Sequence, residues 1–183
     1  IGKTCCAGGS LGNFASFYST SGYQHAIPWS NTNAYWQDGD KSCDTACSSI
    51  STTPNYPITS IAATTITTHS VGSATAIANI KNVLNQGKAI YFSFCLARDA
   101  DWNNFRSFWW NQGESVTWNP DFSCGHTWEP NKGGCHAVLC VGYNDDDPNN
   151  PYWIMVNSWG TAGGGRPNGI FHLDMNMDYD CTF

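Results

Sequence analysis

The chain has 183 residues, enough for one good core or two small lobes. Charged residues are only 12% and aromatics 14%, with nine Trp, a composition that excludes an intrinsically disordered chain. The net charge of −6 argues against nucleic acid or an anionic membrane as a partner, and no apolar run reaches the roughly 18 residues of a membrane span. The nine Cys are irregularly spaced (5, 6, 43, 47, 95, 124, 135, 140 and 181) and form no C-x-x-C pair. That pattern favours disulfides over a metal centre, and the odd count leaves one Cys free or bridged to another chain. The chain opens on Ile1 without a signal segment, which reads as a processed product.

Residues 1–10 are a Gly/Cys loop in which Gly8-Gly9 permits close approach of another backbone, the alternative being a simple turn. Leu11, Phe14, Ala15, Phe17 and Tyr18 recur at helical spacing and predict a short helix over 11–21 with these aromatics in the core. Residues 23–60 read as loop, punctuated by Pro28-Trp29, Asp38-Gly39 and Pro54 to Pro57, with Cys43 and Cys47 as staples. The β-branched run from Ile58 to His69 predicts a strand or a pair of strands. Ser73 to Gln86 predicts a helix capped by Ser73 and ended by Gly87, with Ala76, Ile77, Ile80, Val83 and Leu84 buried. A strand over 88–96, an aromatic helical stretch over 99–110 and a long polar loop over 112–132 follow. A further strand is expected over 169–173, before a tail ending near Cys181.

Between the loop and that last strand lie two apolar runs, 133–143 and 151–160, separated by Asn144-Asp145-Asp146-Asp147-Pro148-Asn149-Asn150. Two such runs around turn formers predict a β-hairpin. The three Asp lack the alternating ligands and closing Glu of a calcium loop and read as a solvated turn. A bend centred between Asp146 and Asp147 places His136 opposite Asn157 on one face, provided that the register does not slip. A carboxamide oxygen there fixes one imidazole tautomer and leaves the other ring nitrogen free to handle a proton, with Trp159 as a roof. Three readings of His136 stay open on the residues alone. It is a structural histidine, a zinc ligand among Cys124, His126, Cys135 and Cys140, or the base of a Cys–His–Asn arrangement.

The run from Cys135 to Tyr143, then Tyr152 to Thr161 with Asn157-Ser158-Trp159-Gly160-Thr161, then Asn168-Gly169-Ile170-Phe171, resembles the catalytic His and Asn regions of papain-like cysteine proteases. Cys6-Ala7-Gly8-Gly9 and its helix, and Gly22 to Trp29, resemble earlier segments of that family more weakly. The resemblance implies an α+β, papain-like fold: residues 1–72 as the remainder of a helical lobe, and 73–183 as a β-rich, barrel-like lobe carrying His and Asn. It implies His136 as general base and acid, Asn157 as its orienter and Trp159 as the indole covering their bond. It also implies Gly8, Gly9 and the Cys135 carbonyl as backbone contacts to an extended peptide. No metal or other cofactor is implied.

Two departures stand out. Cys135 replaces the family's usual acidic, asparagine or small residue, and Ala162-Gly163-Gly164-Gly165 stands where a second Trp is usual. The family's Gln…Cys-Gly-Ser-Cys-Trp motif is also absent, so the fold is incomplete without an N-terminal nucleophile segment. A separate chain of the same precursor, a fragmentary sequence or an inactive relative would each explain that. Cys5 and Cys6 make poor nucleophiles, because Ala7-Gly8-Gly9 offers no helix N-terminus to lower a thiol pKa. The expectation is a cysteine endopeptidase acting on peptide or protein, extracellular or lysosomal/vacuolar, made from a zymogen and active with a second chain bearing the catalytic Cys. The rival is a non-catalytic module that binds peptide or carbohydrate through Trp102, Trp109, Trp110, Trp118 and Trp128.

Overall fold

The computed structural model describes residues 9–20, 24–28, 30–32, 51–161 and 165–182. Two compact units divide the chain, residues 1–65 and 66–183. Cys5, Cys6, Gly8, Cys43, Cys47 and the Ala162-Gly163-Gly164 run lie outside the described residues.

In the first unit, helix α1 spans Leu11–Ser19. The Ser10 hydroxyl caps it by accepting from the Asn13 amide at 3.2 Å, which satisfies one of the free amides of the first turn. Strands β1 (His25–Ala26) and β2 (Tyr56–Pro57) pair antiparallel. The expected aromatic core of α1 is not seen: no α1 residue is buried, and Phe14 is 47% exposed. The apolar spacing makes a helix, but among the described residues of this unit only two-residue strands and their flanks accompany it, too little to cover its stripe. The Thr-rich run after Ile58 is likewise not a strand. β propensity needs a partner strand, and among the described residues none pairs with this run; its Ile66 packs instead against the second unit's core.

The second unit begins with α2 (Ser73–Leu84), which buries Ala76 and Ile80. Its N-cap is Gly72, at φ +76°, so Ser73 is the first helical residue rather than the cap. β3 (Ile90–Leu96) follows, then α3 (Asp99–Asn111). The Asp101 carboxylate accepts from the Arg98 amide at 3.2 Å and so secures the start of α3. The expected loop contains β4 (Thr117–Trp118) and a 3₁₀ turn at Asp121–Ser123. β5 (Gly134–Asn144), β6 (Tyr152–Val156) and β7 (Ile170–Asp174) complete one sheet in the order β3-β5-β6-β7-β4, antiparallel except for β4 against β7. The unit is thus α+β, as expected.

Strand alternation sends Val138 and Cys140 of β5, Trp153 and Met155 of β6, and Phe171 and Leu173 of β7 to the same buried face. Against it α3 lays Trp102, Phe105, Phe108 and Trp109, a helical stripe of aromatics. Cys95 and Cys135, directly opposed on β3 and β5, form a disulfide. A second disulfide, Cys124–Cys181, ties the tail to the end of the 3₁₀ turn. Among the described residues no helix is long and apolar enough to cross a membrane.

Candidate active site

The expected hairpin forms, with a different register. Asn144, which a bend at 146/147 would set opposite Asn149, instead pairs with Tyr152, a displacement of three residues. An odd displacement would send His136 and Asn157 to opposite faces. A β-bulge between Cys140 and Gly142 takes one residue back, so that Leu139 pairs with Val156. Continuing that pairing by one residue puts Asn157 across from Val138 rather than His136. The histidine and the asparagine are therefore diagonal neighbours on one face, within reach of an imidazole.

They meet directly. His136 Nε2 lies 2.8 Å from Asn157 Oδ1. The carboxamide oxygen can only accept, so Nε2 carries the proton and Nδ1 keeps its lone pair. Asn157 is only 6% exposed, and its Nδ2 has no hydrogen-bond partner among the described residues. Trp159 lies 4.9 Å from the imidazole between ring centroids, and Phe94, Phe105 and Trp102 stand at 5.7, 5.9 and 6.3 Å. This aromatic box half-buries the imidazole. Burial pushes the His136 pKa down, the Asn157 bond pushes it partly back up, and the net shift is downward. The ring is poised as a neutral base with one free nitrogen.

A family model described as papain family cysteine protease matches residues 2–183. The chain belongs to the papain family. Short stretches are also similar to individual family members. A viral cathepsin of Epiphyas postvittana nucleopolyhedrovirus is 48% identical over 48 residues, 26% of this chain and 14% of that protein. A cathepsin B-like protein, CP2, of Giardia intestinalis is 42% identical over 57 residues, 31% and 18% of the two chains. An aleurain-like thiol protease of Arabidopsis thaliana is 46% identical over 43 residues, 24% and 11% of the two. The chain thus aligns with less than a fifth of the length of these curated relatives.

Of the residues expected from the sequence, His136, Asn157, Trp159 and Cys135 lie in the second unit, whereas Gly9 belongs to the first and is exposed, with open space where a Cβ would stand. Cys135 flanks the histidine but points to the other face of β5, into the disulfide with Cys95. The zinc reading of His136 fails on the same ground: Cys124 and Cys135 are disulfide-bonded, and among the described residues no group of three ligands converges. His126, the other imidazole in that reading, pairs instead with the buried Asp101 at 3.0 Å. Cys140 is free but fully buried, and burial raises its pKa to about 11, the opposite of a nucleophile.

The expected Trp-rich binding surface is not assembled. Trp102, Trp109 and Trp118 are core residues, and only Trp110 and Trp128 reach solvent, at 47% and 41%. Two sets of residues around the His136–Asn157 pair escape the sequence motifs. The walls Phe94, Trp102 and Phe105 are foreshadowed only by the three-residue step from Trp102 to Phe105 in a helical stretch. Arg166 and Glu114, which brace the loop beyond Asn157, carry no local signal.

Proposed function

We propose that this chain supplies the base and the orienter of a cysteine endopeptidase, with the nucleophilic thiol carried on a second chain of the same precursor. The observation that carries the reading is the 2.8 Å His136–Asn157 bond roofed by Trp159, which leaves Nδ1 free. In the proposed cycle Nδ1 takes the thiol proton and creates a thiolate–imidazolium pair. The sulfur attacks the scissile carbonyl carbon. The C–N bond then breaks as the imidazolium hands its proton to the leaving amine. Water next loses a proton to Nδ1 and attacks the acyl carbon, the C–S bond breaks, and the thiol state is restored. Asn157 holds the ring in plane through both transfers. The Cys135 carbonyl is the candidate backbone contact to the extended peptide. Two disulfides fit an oxidising compartment, which is consistent with an extracellular or lysosomal/vacuolar enzyme made as a zymogen.

The test uses the complete protein and a peptide substrate. His136→Ala abolishes hydrolysis, whereas Asn157→Ala lowers kcat by up to about 100-fold, the effect expected of a misoriented base. Full activity in His136→Ala overturns the proposal. Intact mass with and without reductant reads the partner. A released chain with a reactive thiol supports the two-chain enzyme, whereas a lone 20.0 kDa chain without peptidase activity supports a binding module instead.

A further inference from the structure

Arg166 is the most unusual buried residue of the second unit: a guanidinium at 0% exposure. A charge so placed is tolerated only when its donors are used. Nε donates to the Trp109 carbonyl at 3.0 Å, Nη2 to the Phe108 carbonyl at 3.1 Å and Nη1 to the Ile170 carbonyl at 2.9 Å. The first two acceptors belong to the last turn of α3, the negative end of its dipole. The flat faces of the cation rest on Phe108 and Trp109, 4.4 and 4.9 Å from the ring centroids. Thus a residue of the loop after Asn157 grips the end of α3.

The grip is returned. Glu114, just past the end of α3, accepts from the Asn168 amide at 2.8 Å, from Asn168 Nδ2 at 3.0 Å and from the Ile170 amide at 3.5 Å. Burial acts to raise its pKa, but these bonds and the Arg166 charge outweigh it and hold the carboxylate ionised. Between Asn168 and Ile170 sits Gly169, at φ +66°, whose carbonyl accepts the Asn157 amide at 3.0 Å. A Cβ there would stand 3.4 Å from the Gly160 carbonyl, so the segment lies closely under the Asn157–Thr161 turn. The Trp109 ring that Arg166 covers in turn meets Trp159 edge-on at 6.0 Å. Both groups that hold His136, the carboxamide and the indole roof, therefore trace back to one clamp.

We infer that Arg166, locked to α3 and countered by Glu114, is a positioning residue that sets the Asn157 carboxamide and the Trp159 roof on His136. The inference rests on the His136–Asn157 reading above. Because a planar fork and not a point charge makes these bonds, Lys is not an equivalent substitute.

A double-mutant cycle in the complete protein tests it. Arg166→Lys and Glu114→Gln each lower kcat on the order of 10-fold with KM nearly unchanged, the signature of a displaced base rather than lost substrate binding. Combined with Asn157→Ala, either change adds little beyond the Asn157→Ala loss, because both act through the same carboxamide. Losses that simply multiply overturn the inference. Glu114→Gln, at a half-buried position, serves where an Arg166 variant fails to fold. A second readout is independent of hydrolysis: the His136 Nε2–H proton resonance shifts in Arg166→Lys and Glu114→Gln. An unchanged resonance overturns the clamp even if the protein has no peptidase activity, and an active His136→Ala overturns the enzymatic reading without touching the clamp.

Discussion

His136 sits where its own charge is penalised. Burial among Phe94, Trp102, Phe105 and Trp159 lowers its pKa from 6.5, and the Asn157 bond recovers only part of the shift. The folded state therefore prefers the neutral ring. The stability this contributes is present above pH 6.5 and is lost as pH falls through the lower folded value. An NMR titration of this chain is expected to place the His136 midpoint below 6.5, and a midpoint at or above 6.5 without a facing thiolate contradicts the aromatic box. A thiolate brought to Nδ1 moves the midpoint up, because an opposite charge favours the imidazolium. His136, Asn157 and Trp159 were legible as residues because two short motifs on one hairpin hold all three. Arg166 and Glu114 were not, because most of their partners are main-chain carbonyls and amides more than fifty residues away in sequence, which no local spacing encodes.

The element that supports the site from behind is α3. Phe105, fully buried, touches Phe94, Trp118, Phe171, His136 and Trp159, so it packs the sheet and the His136 ring at once. Phe105→Ala is expected to cost about 3–5 kcal/mol in urea unfolding, the range for a large aromatic removed from a core. Phe105→Leu, which fills most of that space, should cost clearly less, and equal losses would mean that packing is not the cause. α2, β3, α3, β5 and β6 could all be read from periodicity, because each buries one face against a neighbour close in sequence. The strand expected after Ile58 could not be corrected locally, since its composition is right for a strand and only the absence of a partner decides against it. The hairpin register shows the same limit: turn residues predicted a bend, but not its centre or the bulge that follows.

At the scale of the molecule, the second unit is stapled twice. Cys95–Cys135 closes a separation of 40 residues and Cys124–Cys181 one of 57. Loops of that size stabilise by about 4 kcal/mol each in the chain-entropy account. Thermal unfolding with and without reductant should show a marked fall in Tm, and Cys95→Ser/Cys135→Ser should reproduce part of it. An unchanged melt would mean that the sheet holds without its covalent ties. Cysteine count and spacing announced disulfides but not their pairing, which depends on strand register. The bulge at Val141 carries a further implication for how such a hairpin can change length. Its extra residue is exposed, looped out on the side away from the core. The extra residue thus restores the parity that puts His136 and Asn157 on one face. A turn that shifts the pairing by one more residue breaks that parity unless a second bulge absorbs it, so the length of the hairpin and its bulge can only change together.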